Sequence, residues 1–292
     1  MQLNDITLKD KELFKKLSNH SGVISQFSGF VNLFLWKDIE KIKYFIRNDK
    51  LIITGVTSDD NERYFMFPDT SVITKEDILF LTENFKEKWS IAALSKADVE
   101  HFKKECGSLL EFSHIRDMDN YVYLTENLIN LSGKKYHSKK NHLNNFKKNY
   151  NYEYVKYNGD LRADLMKFLG KWYINKTEEG LLLGEANSIV NAIDNYEELG
   201  LKGGMITVDG KIVAFSMGEQ MTEEMAVIHF EKADINYHGS YAVINNEFLK
   251  NEWSQVKYVN REEDMGIEGL RKSKLSYKPE IIFEVYSAYL RG

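Results

Sequence analysis

Cysteine, proline and long apolar runs are scarce in this chain of 292 residues. The lone Cys106 excludes an intrachain disulfide and a cysteine-based zinc cluster. It reads as a small buried hydrophobe. Two prolines and 18 glycines are too few for a collagen-like or low-complexity linker architecture. No apolar run approaches the roughly 18–20 residues that span a bilayer. The opening MQLNDITLKDKELFKK also lacks the unbroken apolar core of a signal peptide. A cytoplasmic chain without a transmembrane segment is expected. His20, His101, His114 and His238 show no metal-ligand spacing, so no metal is expected. No Walker loop, Gly-x-Ser-x-Gly elbow or dinucleotide fingerprint occurs. With a net charge of −5, any anion site must come from a local cluster.

What is present is a globular composition, 43% hydrophobic and 13% aromatic, long enough for about two domains. The pattern is α/β. Leu8–Leu17 has helical spacing, and Asn32–Phe45 is of ambiguous type. Leu51–Thr54 and Tyr64–Phe67 form a hairpin around Ser58, Asp59, Asp60 and Asn61, and Thr74–Lys88 is helical. A change of character near Asp117–Asn120 places a boundary between residues 1–117 and 118–292.

Beyond it, Lys134–Tyr150 reads as a basic helix, Tyr152–Tyr157 as a strand, and Leu161–Lys176 and Asn187–Leu199 as helices. Asp209-Gly210 between two β-rich runs suits a type I′ turn, because both central residues need positive φ. Met225–Phe230 supplies a third strand, Ser240–Trp253 a helix, Val256–Val259 a strand, Gly269–Tyr277 a helix and Ile281–Tyr289 one final strand. The order hairpin, helix, strand, helix recurs at an offset of roughly 165 residues, which suggests tandem duplication.

A strand–loop–helix unit offers free N–H groups to phosphate. Here the loop is Asp234–Ala242, with Gly239 just before the helix. It resembles the pyrophosphate loop of GNAT-type acyltransferases, Gln/Arg-x-x-Gly-x-Gly/Ala, but only the glycine fits. Asn236 and Tyr241 occupy the other positions. Three longer motifs, Gly133–Asn149, His229-Phe-Glu-Lys-Ala233 and Asn260–Tyr277, resemble the phosphatidylglycerol lysyltransferase C-terminal-like family. That resemblance implies two tandem GNAT-like domains, each a mixed, mostly antiparallel twisted sheet flanked by helices, related to the Fem-type aminoacyltransferases. The membrane-embedded module of the family's lysyltransferases is not expected here, so the lipid substrate does not follow from the fold.

Three constellations carry candidate chemistry. Lys135, Lys139 and Lys140 on the basic helix, with Asn236, His238, Gly239, Ser240 and Tyr241 of the loop, are candidates for binding a donor's phosphates. The competing reading of that helix is a solvated face. Period two puts His229 and Glu231 on one face of their strand and Ile228, Phe230 and Lys232 on the other. Either could accept the proton of an attacking amine, with Asp264 a third candidate catalytic group. The bland alternative pairs Glu231 with Arg261 or Lys274. Arg261, Glu263, Arg271, Lys274 and Tyr277 are candidates for substrate binding, Arg271 and Lys274 as an anion fork, against a reading of caps and exposed pairs.

The expected function is transfer of an acyl or aminoacyl group from acyl-CoA or aminoacyl-tRNA to an amine or hydroxyl acceptor. The acceptor would be a small molecule, lipid or peptide, and no cofactor is tightly bound. The alternative is a non-catalytic protein that uses a cationic groove for RNA or anionic lipid.

Overall fold

The computed structural model describes residues 2–18, 24–57, 61–174 and 179–291, with backbone only for 179–183. The chain divides into two units, Met1–Asn120 with Glu263–Gly266 and Phe283–Gly292, and Tyr121–Glu262 with Ile267–Ile282.

In the first unit, β1 (Asn4–Asp5), β2 (Lys43–Arg47), β3 (Lys50–Val56), β4 (Arg63–Met66), β5 (Trp89–Leu94) and β6 (Leu110–His114) accompany α1 (Lys11–Leu17), α2 (Phe30–Trp36), α3 (Lys75–Asn84) and α4 (Lys96–Cys106). The segment of ambiguous type, 32–45, divides between α2 and β2. The turn from β2 to β3 uses Asn48 and Asp49 at positive φ, a conformation these short polar side chains tolerate. The expected hairpin pairs as β3 against β4, while Ser58, Asp59 and Asp60 of its turn lie outside the described residues, as does His20. Capping boxes start α3 at Thr74 and Asp77 and α4 at Ser95 and Asp98. Phe65, Ile91, Leu94, Phe102 and Cys106 are buried in one core.

The second unit holds β7 (Asn120–Leu124), α5 (Thr125–Asn130), α6 (His137–Asn149), β8 (Tyr152–Lys156), α7 (Arg162–Ile174), α8 (Glu179–Asp194), α9 (Tyr196–Leu199), β9 (Lys202–Val208), β10 (Lys211–Gln220), β11 (Met225–Ala233), α10 (Ser240–Glu252), β12 (Tyr258–Asn260), α11 (Glu268–Ser276) and β13 (Ile281–Phe283). Asp209 and Gly210 both have positive φ, 48° and 73°, as the type I′ turn between β9 and β10 requires. The buried face of this sheet packs against α10, α6 and α5 through Tyr121, Tyr123, Ile206, Val208, Ile228, Phe146 and Phe248.

The final run is not one strand. Ile281–Phe283 is β13, but β14 (Tyr286–Leu290) joins the first sheet between β5 and β6. Between them Val285 donates its N–H to Asp119 Oδ1 at 2.9 Å and accepts from the N–H of Ile115. The first unit therefore takes its sixth strand from the chain's end, and a single cut after residue 117 does not describe how strands are shared. The two sheets run β1-β2-β3-β4-β5-β14-β6 and β8-β9-β10-β11-β12-β7-β13. In each, an antiparallel meander of three strands leads through a helix into a parallel fifth strand.

Candidate active site

The parallel pairing of β11 with β12 is short. Met225, Ala226 and Val227 pair with Tyr258, Val259 and Asn260, and β11 then runs on to Ala233 alone on that side. Side chains fill the opening. Glu231, on this free stretch, accepts from Arg261 Nη2 at 2.8 Å and from Asn245 Nδ2 of α10 at 3.2 Å. Both members of the ion pair are nearly buried, with side-chain exposures of 12% and 13%. The pairing of Glu231 with Arg261, foreseen as the bland alternative, is the one formed.

Aromatic rings complete the cluster. The Arg261 guanidinium carbon lies 4.9 Å from the ring centre of Tyr277 and 5.8 Å from that of Tyr123. Lys139 Nζ of α6 lies 4.2 Å from the same Tyr277 ring. Burial and the nearby Arg261 charge pull the Lys139 pKa below its usual value, against the opposing pull of Glu231. Burial pushes the Tyr277 phenol up to about 12, so the ring stays neutral. Arg261 Nη1 is buried without a hydrogen-bond partner.

His229 is not a free base. Glu219 lies 3.1 Å from Nε2 and Glu262 lies 2.8 Å from Nδ1, so both ring nitrogens are engaged by carboxylates. Burial works against its charge, but the two hydrogen bonds outweigh it and raise the pKa to about 10. At neutral pH it is an imidazolium with no lone pair to offer. Strict alternation fails at this residue for a local reason. Met217 pairs with Phe230 and Gly218 with Ile228, so His229 is skipped in a β-bulge. Glu231 thereby turns toward α10, sharing that face with Ile228 rather than opposing it.

The other predicted residues divide. Lys274, expected to share an anion site with Arg271, points its ammonium at the main chain. It is buried, donates to the backbone carbonyl of Arg261, and lies 5.7 Å from the Tyr121 ring centre. Arg271 sits half-buried on α11. Asp264 and Glu263 belong to the first unit. There buried Asp264 accepts from Gly266 N–H at 2.9 Å and meets Arg116 at 3.5 Å, while Glu263 accepts from Gln26 at 2.8 Å. The chain passes from the second unit into the first after Glu262.

The loop before α10 is largely occupied with itself. Asn236 donates both its backbone and side-chain N–H to Asp234 Oδ1, and Ser240 Oγ donates to the Asp234 carbonyl. Gly239 (φ 94°) sits against α6, where a Cβ would lie 2.5 Å from the His142 carbonyl. His238 and His142 rings meet at 5.1 Å. Tyr241 is half-buried. The basic helix is divided in use. Lys139 turns inward and Lys147 pairs with Glu247 of α10 at 2.7 Å, while Lys135 and Lys140 remain exposed.

A cavity of about 750 Å³ lies on the opposite face of the sheet, under α7, with Lys167, Lys171, Lys211, Thr207 and Asn236 among its lining residues. Met205 and Thr207 line it, while their neighbours Ile206 and Val208 pack toward α10, and alternation separates the two faces. Sequence reasoning missed Asn245, Tyr123, Glu219 and Glu262. Only the Glu-Glu-Asp run after Arg261 could have signalled Glu262.

Residues 24–289 match the family described as phosphatidylglycerol lysyltransferase, C-terminal. This chain belongs to that family. A crystal structure of a conserved protein of unknown function from Bacteroides thetaiotaomicron matches at 32% identity over 100% of both chains, with a TM-score of 0.91. L-PGS from Bacillus licheniformis matches at 15% identity over 98% of this chain and 92% of its own, TM-score 0.68. A tandem GNAT protein from the clavulanic acid biosynthesis pathway matches at 5% identity over 99% and 98%, TM-score 0.50. The fold is thus the tandem GNAT-type architecture. An uncharacterized protein of Mycoplasmoides gallisepticum is 31% identical over 170 residues, 57% of this chain, and the chain spans about half of that relative's length. Among the described residues no helix is long and apolar enough to cross a membrane, and no group of three His, Cys, Asp or Glu side chains could hold a metal ion.

Proposed function

We propose that this chain is an aminoacyltransferase, moving an aminoacyl group from aminoacyl-tRNA to a hydroxyl or amine acceptor at the Glu231–Arg261 cluster. The observation that carries the reading is the convergence of Glu231, Arg261 and Lys139 where β11 and β12 part. Membership of a family described by lysyl transfer supports the aminoacyl donor over acyl-CoA. So does the loop, where Asn236 is committed to Asp234.

In this reaction the acceptor oxygen or nitrogen attacks the ester carbonyl, a tetrahedral oxyanion forms, and the 3′-oxygen of the tRNA leaves. Arg261 and Lys139 supply positive charge in a partly dry setting, where it stabilises an oxyanion far better than in water. Glu231 takes the acceptor's proton. Its two oxygens already accept one hydrogen bond each, which leaves lone pairs free, and the proton passes to the departing 3′-oxygen. The exposed Lys135 and Lys140 assist by meeting tRNA phosphates.

The test is transfer of label from [14C]lysyl-tRNA to phosphatidylglycerol vesicles or to a soluble amine. The wild type should transfer to one of them, and Glu231→Gln should lose at least about a hundredfold in rate. Tight, salt-sensitive tRNA binding with no transfer to either acceptor would instead make this a binding protein.

A further inference from the structure

We propose that the Glu219–His229–Glu262 bridge, an imidazole 3% exposed between carboxylates 13% and 19% exposed, is a positioning device for Arg261, one that the fold itself does not need. The proposal rests on the reading of Arg261 as part of the transfer site.

The first unit supplies an internal control. There β4 and β5 also pair in parallel for three residues, ending at Phe65 with Ile91. In the second sheet the last pair is Val227 with Asn260. Two positions beyond the last pair stand Phe67 in the first unit and His229 in the second. On the fifth strand the matching positions are Ala92 and Ala93 against Arg261 and Glu262. On the preceding strand, Thr54 faces Phe65 as Glu219 faces Val227. The critical residue has nearly the same positive φ in both units, 62° at Ala93 and 59° at Glu262. A left-handed kink after the parallel pairing therefore forms in the first unit with phenylalanine, threonine and alanine at the matching positions, none of them ionisable, although Arg63 of β4 donates to the Thr54 hydroxyl at 3.1 Å.

Burying a cation and partly burying two carboxylates costs free energy that an apolar set avoids, and apolar replacements of buried charged triads are often neutral or stabilising. The second unit carries the bridge although the kink has a cheaper solution. What the second unit has is a long cationic side chain on the fifth strand itself, Arg261, where the first unit has Ala92. Glu262 is fastened by its carboxylate to His229, by its N–H to Asn260 Oδ1, and by its carbonyl to the N–H of Tyr121. Arg261 donates its own N–H to the Tyr121 carbonyl and accepts from Lys274. The main chain is thus held on both sides of the guanidinium, which reaches Glu231 past the Tyr123 and Tyr277 rings. His229 acts through Glu262 and touches no reacting atom.

The test installs the first unit's residues in the full chain, as Glu219→Thr, His229→Phe and Glu262→Ala together. The Arg261 Nε–H signal is followed by 15N-arginine NMR and assigned with Arg261→Lys. The triple variant should melt within a few degrees of wild type or higher, while hydrogen exchange at Arg261 Nε accelerates at least about tenfold. A variant that fails to fold, or melts more than about 10 °C lower, overturns the proposal by making the bridge part of the fold. Unchanged Arg261 exchange overturns it equally. Glu262→Gln, which keeps shape and removes the clamp's charge, should accelerate exchange in the same direction at near-native melting temperature, and no change there also contradicts it. These readouts use no substrate, so they stand or fall separately from the transfer assay.

Discussion

Lys139 and Arg261 hold their charges against one ring, that of Tyr277, at 4.2 and 4.9 Å from its centre. Two cations beside one ring repel each other, and burial adds to the cost, so the ammonium is the one that yields. Competitive labelling with acetic anhydride should show Lys139 becoming reactive at lower pH than the exposed Lys135 and Lys140. Arg261→Met should move its midpoint back up. A Lys139 that labels in step with the surface lysines would contradict this arrangement.

The Glu231–Arg261 pair predicts an asymmetric mutational pattern. Glu231→Leu alone leaves a buried guanidinium without its carboxylate, a loss of about 3–5 kcal/mol. Arg261→Met together with Glu231→Leu should recover most of that stability in urea unfolding, yet remain inactive in transfer. A double variant no more stable than the single one would show that the pair is not coupled.

His229 gives a pH prediction with a definite sign. Its folded pKa, raised to about 10, lies above the usual 6.5, so its stabilising contribution is complete below about 6.5. That contribution is lost as pH rises through about 10. Between those limits wild-type stability should fall relative to His229→Phe, measured by urea unfolding at pH 6 and pH 9.5. Ring 15N shifts should show both nitrogens protonated at pH 8, and a neutral His229 at pH 8 would contradict the bridge.

Gly239 combines a φ of 94° with a Cβ position 2.5 Å from the His142 carbonyl. Gly239→Ala should therefore destabilise the chain by about 1–3 kcal/mol and loosen the contact between the loop and α6. A change below about 0.5 kcal/mol in urea unfolding would count against that close approach.

The fold was legible where local chemistry fixes it. Asp209-Gly210 announced its turn, and the basic run Lys134–Tyr150 was read as the helix that α6 forms over His137–Asn149. The strand exchange was not legible. Ile281–Tyr289 reads as one apolar run, and nothing local says that Val285 is held by Asp119 so that β13 and β14 join different sheets. At the candidate site, Glu231, Arg261, Lys139 and Tyr277 were singled out from residue type and motif, and the structure brings these four side chains together. The role of His229 was misread because a β-bulge invisible to period-two counting re-aims the strand. Its partners Glu219 and Glu262 reach it only through the register of β10 and the kink after β12. Asp264 and Glu263 sit next to Arg261 in sequence, yet the chain passes into the other unit between them and it.

The most direct measurement is the melting temperature of the full chain with lysyl-tRNA, with the same tRNA deacylated, and with acetyl-CoA. A charged aminoacyl end seated among Arg261, Glu231 and Lys139 should raise it more for the acylated tRNA than for the bare one. That difference should vanish in Arg261→Lys. Equal shifts for both tRNAs in wild type, or stabilisation by acetyl-CoA alone, would contradict an aminoacyl donor at this cluster.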